Sequence, residues 1–64
     1  MERIYESSKK GRRAYKRAAL NSSELRVMEY LIGSKAASEG QLETVGESWL
    51  ISSMKRRGLI KESE

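Results

Sequence analysis

Six cations crowd into one stretch of this 64-residue sequence: Lys9, Lys10, Arg12, Arg13, Lys16 and Arg17 lie within residues 7–20, where no acid interrupts them. Ammonium and guanidinium groups at that density make a local positive field, which attracts a polyanion and releases its counterions on contact. The bland alternative is a solvated basic helix face. The whole chain carries +4, from 13 Lys and Arg against 9 acids, and the remainder is close to neutral. The placement of the charge therefore says more than its total.

Other side chains that commonly do chemistry are missing. With no histidine and no cysteine, the sequence has no ordinary zinc site, no disulfide framework and no nucleophile–imidazole pair. The glutamates are scattered over expected helix surfaces without an acid–base pair, and so short a chain has little room for a closed pocket. We expect no catalytic residue, no metal site, no cofactor and no small-molecule ligand. No apolar run approaches the roughly 18 residues of a membrane span, and the N-terminus lacks a signal-peptide core. A cytoplasmic protein is expected, nuclear in a eukaryote and nucleoid-associated in a prokaryote.

These side chains need elements to hold them. At 38% hydrophobic and 34% charged, the chain suits one soluble domain over residues 1–64 with a small core. Such a chain buries only roughly 60% of its unfolded surface, so stability must come from helix packing, a short sheet or a second subunit. Ile4 and Tyr5 among charges suggest an edge strand. Ser7 or Ser8 can cap a helix running to about Ala19, on which Ala14, Tyr15, Ala18 and Ala19 form a thin apolar side. Asn21 with Glu24 has the spacing of a capping box, flanked by Leu20 and Leu25 at staple positions. The helix that follows, 22–34, turns Leu25, Met28, Leu31 and Ile32 toward a core. Residues 34–40 read as a connection. Two short helices come next, split by Gly46, and Gly58 stops the second. Leu59-Ile60-Lys61-Glu62 reads as another strand.

The segment Gln41-Leu42-Glu43-Thr44-Val45-Gly46-Glu47-Ser48 is the second constellation. Leu42 and Val45 can anchor a short helix, Gly46 allows a tight turn, and Ser48 is placed to cap the next helix. Beyond it Leu50, Ile51 and Met54 face inward, and Lys55-Arg56-Arg57-Gly58-Leu59-Ile60 closes the helix and enters a strand. Together with the capped helix at 22–34, this order resembles the winged helix-turn-helix family of DNA-binding domains. The resemblance covers about two-thirds of the 64 residues. One part departs from it: the second wing strand is missing after residue 63, while residues 3–14 resemble the strand and basic helix that normally follow a wing. The order looks circularly permuted. We therefore expect a fold that is mostly α with a small antiparallel β-sheet, strand 2–6 pairing with strand 59–63, and helices at about 8–19, 22–34, 39–45 and 48–57. The strands pair within one chain or, in a swapped homodimer, between two.

What the resemblance implies is double-stranded DNA binding by a small transcriptional regulator. The helix at 48–57 would enter the major groove and present Ser48, Trp49, Ser52, Ser53, Lys55 and Arg56. Serine hydroxyls specify little, so Arg56 and then Lys55 would carry base discrimination. The basic helix at 9–17 would hold phosphates. Trp49 has three readings: burial against a neighbouring helix, weighted first, then a DNA contact, then a subunit interface. Tyr5, Tyr15 and Tyr30 read as core or rim residues, with no ladder for single-stranded nucleic acid. The main rival is a winged-helix module that contacts protein alone, which Trp49 and the acids Glu39, Glu43 and Glu47 favour. An RNA-associated basic peptide is a third possibility, for which the regular caps give less support.

Overall fold

The computed structural model describes residues 3–63. Along the chain run β1 (Ile4–Ser7), α1 (Lys9–Lys16), α2 (Ser22–Ser34), β2 (Ala37–Ser38), α3 (Glu39–Leu42), α4 (Ser48–Arg56) and β3 (Ile60–Glu62). The three strands form one antiparallel sheet in the order β2-β1-β3. A mostly helical chain closed by this small sheet has a winged-helix-like layout.

The expected pairing of the first and last strands is present, but β1 lies in the middle of the sheet with β2 on its other side, so it is not the edge strand its residues suggest. Tyr5 lies opposite Glu62, Glu6 opposite Lys61 and Ser7 opposite Ile60, and the Ser63 amide donates to the Ile4 carbonyl at 2.7 Å. The first strand sits at Ile4–Ser7, further along than 2–6, and Glu2 lies outside the described residues. Because side chains alternate across a strand, Tyr5 and Ser7 turn inward while Ile4 is exposed. The strand β2 replaces part of the connection expected at 34–40. Its two residues pair with β1 through Ile4–Ser38 and Tyr5–Ala37, a partnership over thirty residues away that Ala37-Ser38 gives no local sign of.

Helix ends follow their capping chemistry. The Ser8 side chain accepts from the Gly11 amide, so α1 starts at Lys9. It stops at Lys16, short of the expected Ala19, because Ala18 enters the left-handed region at φ 54°. There the Ala19 amide reaches Ala14 O and the Ala18 amide reaches Tyr15 O, which is a Schellman closure with alanine in the usual glycine place. Helix α4 closes the same way on Gly58 at φ 79°, with the Leu59 amide on Met54 O and the Gly58 amide on Lys55 O. Asn21 and Glu24 form both halves of the expected capping box. Ser38 and Gln41 form a second one at α3, and α3 ends at Leu42 with a turn running to Gly46, so the helix is shorter than 39–45.

Two expectations about facing fail. In α2 the inward residues are Glu24, Val27, Met28 and Leu31, while Leu25 is half-buried and Ile32 is exposed. The true stripe shares Met28 and Leu31 with the expected one but runs through Glu24 and Val27, and the charge on Glu24 concealed it. Ser48 does not cap α4; it is the first helical residue, and Glu47 holds the cap position without a side-chain cap hydrogen bond. The core gathers where α2 and α4 meet the sheet, with Met28, Leu31, Leu42, Met54, Ile60 and Val27 fully enclosed. Tyr5 is buried, and Tyr15 and Tyr30 pack partly buried at its edge, as expected.

At Gly11, α1 passes directly against the chain just after α4. A Cβ on Gly11 would collide with the Leu59 carbonyl oxygen and stand 3.0 Å from the Met28 methyl, whereas one on Gly33 would meet nothing. Gly11→Ala should therefore lower stability by about 2 kcal/mol or more, as overpacking against backbone does. Gly33→Ala, in an exposed helical position, should raise it by about 0.5 kcal/mol. Urea unfolding followed by far-ultraviolet circular dichroism measures both. Ala18→Gly, measured alongside, should be stabilising because it relieves the left-handed strain.

Candidate nucleic-acid interface

Helix α4 is amphipathic in the sense a groove-reading helix requires. Leu50, Ile51 and Met54 fill the inward stripe, which turns Ser48, Trp49, Ser52, Lys55 and Arg56 outward, all exposed, with Ser53 half-buried at the border. Trp49 is 65% exposed, so its burial against a neighbouring helix is overturned. Its position one residue before the Leu50-Ile51 pair puts it past the edge of the stripe. The indole Nε1–H donates to the Glu47 carboxylate.

Four of these six candidates line one groove of about 380 Å³ between α3, α4 and β1: Ser48, Ser52, Lys55 and Arg56. Arg3 just before β1, Tyr5 on it, Glu39 and Glu43 from the α3 side and Ile51 of α4 also line it. Tyr5 contacts both sides of the groove. Its hydroxyl lies 3.4 Å from a Glu39 carboxylate oxygen, and the Lys55 ammonium stands 5.5 Å from its ring centroid, within cation–π range. Beside Tyr5 and the Glu62 carboxylate, the Arg3 guanidinium is held above its already high ordinary value and stays charged at any ordinary pH. Arg3 and Tyr5 were not among the sequence candidates, since only the β1–β3 pairing brings them beside α4.

The basic run Lys55-Arg56-Arg57 is divided by the fold. Lys55 Nζ lies 3.2 Å from Glu62 Oε1, which Arg3 also approaches at 3.3 Å. Arg57 turns away to pair with Glu24. Arg56 is the member of the run with no carboxylate partner among the described residues. The groove thus holds Arg3, Lys55 and Arg56 against Glu39 and Glu43, close to charge balance.

The basic helix α1 makes a different surface. Lys9, Arg12, Arg13 and Lys16 recur at three- and four-residue spacing, so they share one face, and together they line a shallow depression of their own. No carboxylate among the described residues pairs with any of them. Arg12 is partly committed, because its Nη1 donates to the Ser7 carbonyl at 2.8 Å. Lys10 lies on another side, with its Cδ beside Gly58 at the end of α4, and Arg17 forms the C-cap. The depression on α1 and the groove on α4 share no lining residue, so eight of the twelve candidates form two surfaces with different electrostatics, and Lys10, Arg17, Trp49 and Ser53 line neither.

Among the described residues no cluster of acids, histidines or cysteines could hold a metal ion, and no helix is long and apolar enough to cross a membrane. Compared with known proteins, the chain matches no family model, no curated protein and no solved structure.

The Arg57–Glu24 pair has a consequence for stability. Glu24 is buried, and besides Arg57 its carboxylate accepts only the Asn21 amide, at 3.2 Å, among the described hydrogen bonds. Arg57→Ala should cost about 1–3 kcal/mol, the range for leaving a buried polar group short of a partner. Arg56→Ala, at an exposed site, should stay within about 0.5 kcal/mol. Urea midpoints for the two variants test the contrast.

Proposed function

We propose that this chain is a double-stranded DNA-binding module of the winged-helix type, acting as a small transcriptional regulator, with its elements in circularly permuted order. The observation that carries the reading is the outward face of α4, set on a helix-turn-helix whose opposite face is locked in the core. In this arrangement α4 enters the major groove, with the β1–β3 pair as the wing beside it. Read from α2, the order is helix, strand, helix, recognition helix, strand; β1 supplies the returning wing strand and α1 the helix after it.

The two surfaces divide the work. A near-neutral groove gains little from phosphate attraction, so α4 contributes base contacts, foremost from Arg56, which has the donors to reach guanine. The cations of α1, which meet no carboxylate among the described residues, contribute phosphate contacts, which add affinity without sequence information. A second reading, a winged-helix module that docks on protein and leaves DNA alone, draws support from Glu39 and Glu43, whose carboxylates stand in the same groove as Arg56.

Titration of a labelled duplex at several salt concentrations separates these readings. With four phosphates neutralised by α1, the log–log slope of affinity against salt should be about −4. Failure to bind duplex, or binding indifferent to salt, would rule DNA out as the partner. Within the DNA reading, Arg13→Ala with Lys16→Ala should weaken binding to all sequences alike and make the slope shallower by about 2. These two avoid Arg12, whose bond to the Ser7 carbonyl has a structural role. Arg56→Ala should instead change which sequences are preferred in a selection from a random duplex pool.

A further inference from the structure

Trp49 is the largest exposed apolar side chain of α4, and its hydrogen-bonding capacity is already used. An indole has a single donor and no acceptor. That donor is taken by Glu47, which holds the helix N-cap position yet makes no side-chain cap bond. The carboxylate is thus diverted from capping to holding the ring. What remains outward is carbon and hydrogen, 65% exposed.

The surroundings limit what such a ring can meet. Ser48 and Ser52 beside it are exposed and short, so the indole projects beyond them. The other large exposed apolar residues, Ile4 and Ile32, lie on β1 and α2, and α4 offers hydroxyls and cations instead. Protein docking sites centre on packed, desolvated clusters ringed by further contacts; this ring stands alone on a polar face. Its place is the first turn of the helix, the part of a recognition helix that meets base edges. In the major groove the one apolar marker on a base edge is the C5-methyl of thymine.

We propose that Trp49 is a specificity-determining residue that reads thymine through its C5-methyl group, with Glu47 fixing the ring. The assignment rests on the DNA-binding reading above. It gives the protein a preference independent of the Arg56 contact, made by apolar burial alone.

The test uses four duplexes with the whole chain: alternating A·T, the same with deoxyuridine in place of thymine, alternating G·C, and the same with 5-methylcytosine. Each pair differs by the major-groove methyl alone. The protein should bind the A·T duplex about fourfold more tightly than the uracil form, the effect of burying about one methyl-sized group, and should gain similarly from cytosine methylation. Trp49→Ala should abolish both differences while the salt slope stays unchanged, and Trp49→Phe, which keeps an aromatic face but cannot bond Glu47, should weaken them. Equal affinity of the unaltered protein within each pair, with salt-dependent binding intact, overturns the assignment and leaves the DNA reading standing. Persistence of the preference in Trp49→Ala also overturns it, and full retention in Trp49→Phe overturns the part assigned to Glu47. Absence of binding to all four duplexes removes both the assignment and the reading beneath it.

Discussion

The whole arrangement depends on how closely α1 can approach the chain leaving α4. Ser8 donates its amide to the Leu59 carbonyl at 3.1 Å and its hydroxyl to the Gly58 carbonyl, and Gly11 then passes so near Leu59 that no side chain fits between them. Gly58 in turn must take a positive φ for those carbonyls to be where they are. Three short residues therefore join the first strand and helix to the last helix and strand. From this seam follow the β1–β3 pairing, the burial of Tyr5, and the position of the basic helix at the C-terminal end of α4.

Electrostatics is distributed around that seam with little waste. Glu62 accepts both Arg3 and Lys55 on the side of the β1–β3 pair that carries Tyr5, and Glu6 accepts Lys61 on the opposite side. Exposed pairs of this kind add little stability; the effect of the first two is to fix side-chain positions beside the groove. Glu24 does more. Buried at the start of α2, it takes the Asn21 amide and the Arg57 guanidinium at once, tying the capping box of one helix to the C-cap of another. The cost is that Arg57, third of a basic run, is withdrawn from the surface on which a polyanion would be met.

Much of this was legible in the sequence because it is local. The Asn21–Glu24 box, the Gly58 stop and the helix at 22–34 are written in residues three or four apart, and the pairing of the first strand with the last followed from their order. What escaped reading is non-local or masked. Ala37-Ser38 becomes a strand because β1 lies beside it, although nothing in its own composition favours one. The inward stripe of α2 includes a glutamate, so hydrophobic periodicity alone chose a neighbouring stripe and turned Ile32 the wrong way. Adjacency to Leu50 and Ile51 favours burial of Trp49, whereas those two apolar neighbours already fill the space. The site divides in the same manner: the cations were visible as a cluster, but their internal partners lie across the sheet or at another helix, so which of them stay unpaired could be learned only from the fold.

This unequal pairing bears on how a polyanion would be held. A surface of unpaired cations attracts phosphate at any register, and by itself would let a duplex slide. The groove on α4, nearly balanced in charge, attracts little at a distance and rewards only a close fit. Joined flexibly, two such surfaces would act in sequence. Here Ser8 and Gly11 hold α1 directly against Leu59, so the offset between the two is set by backbone contacts. In the DNA-binding reading, a duplex gripped through α1 therefore presents its groove to α4 in a restricted set of orientations. Discrimination can then rest on a few contacts, which suits a recognition face built mainly from serine.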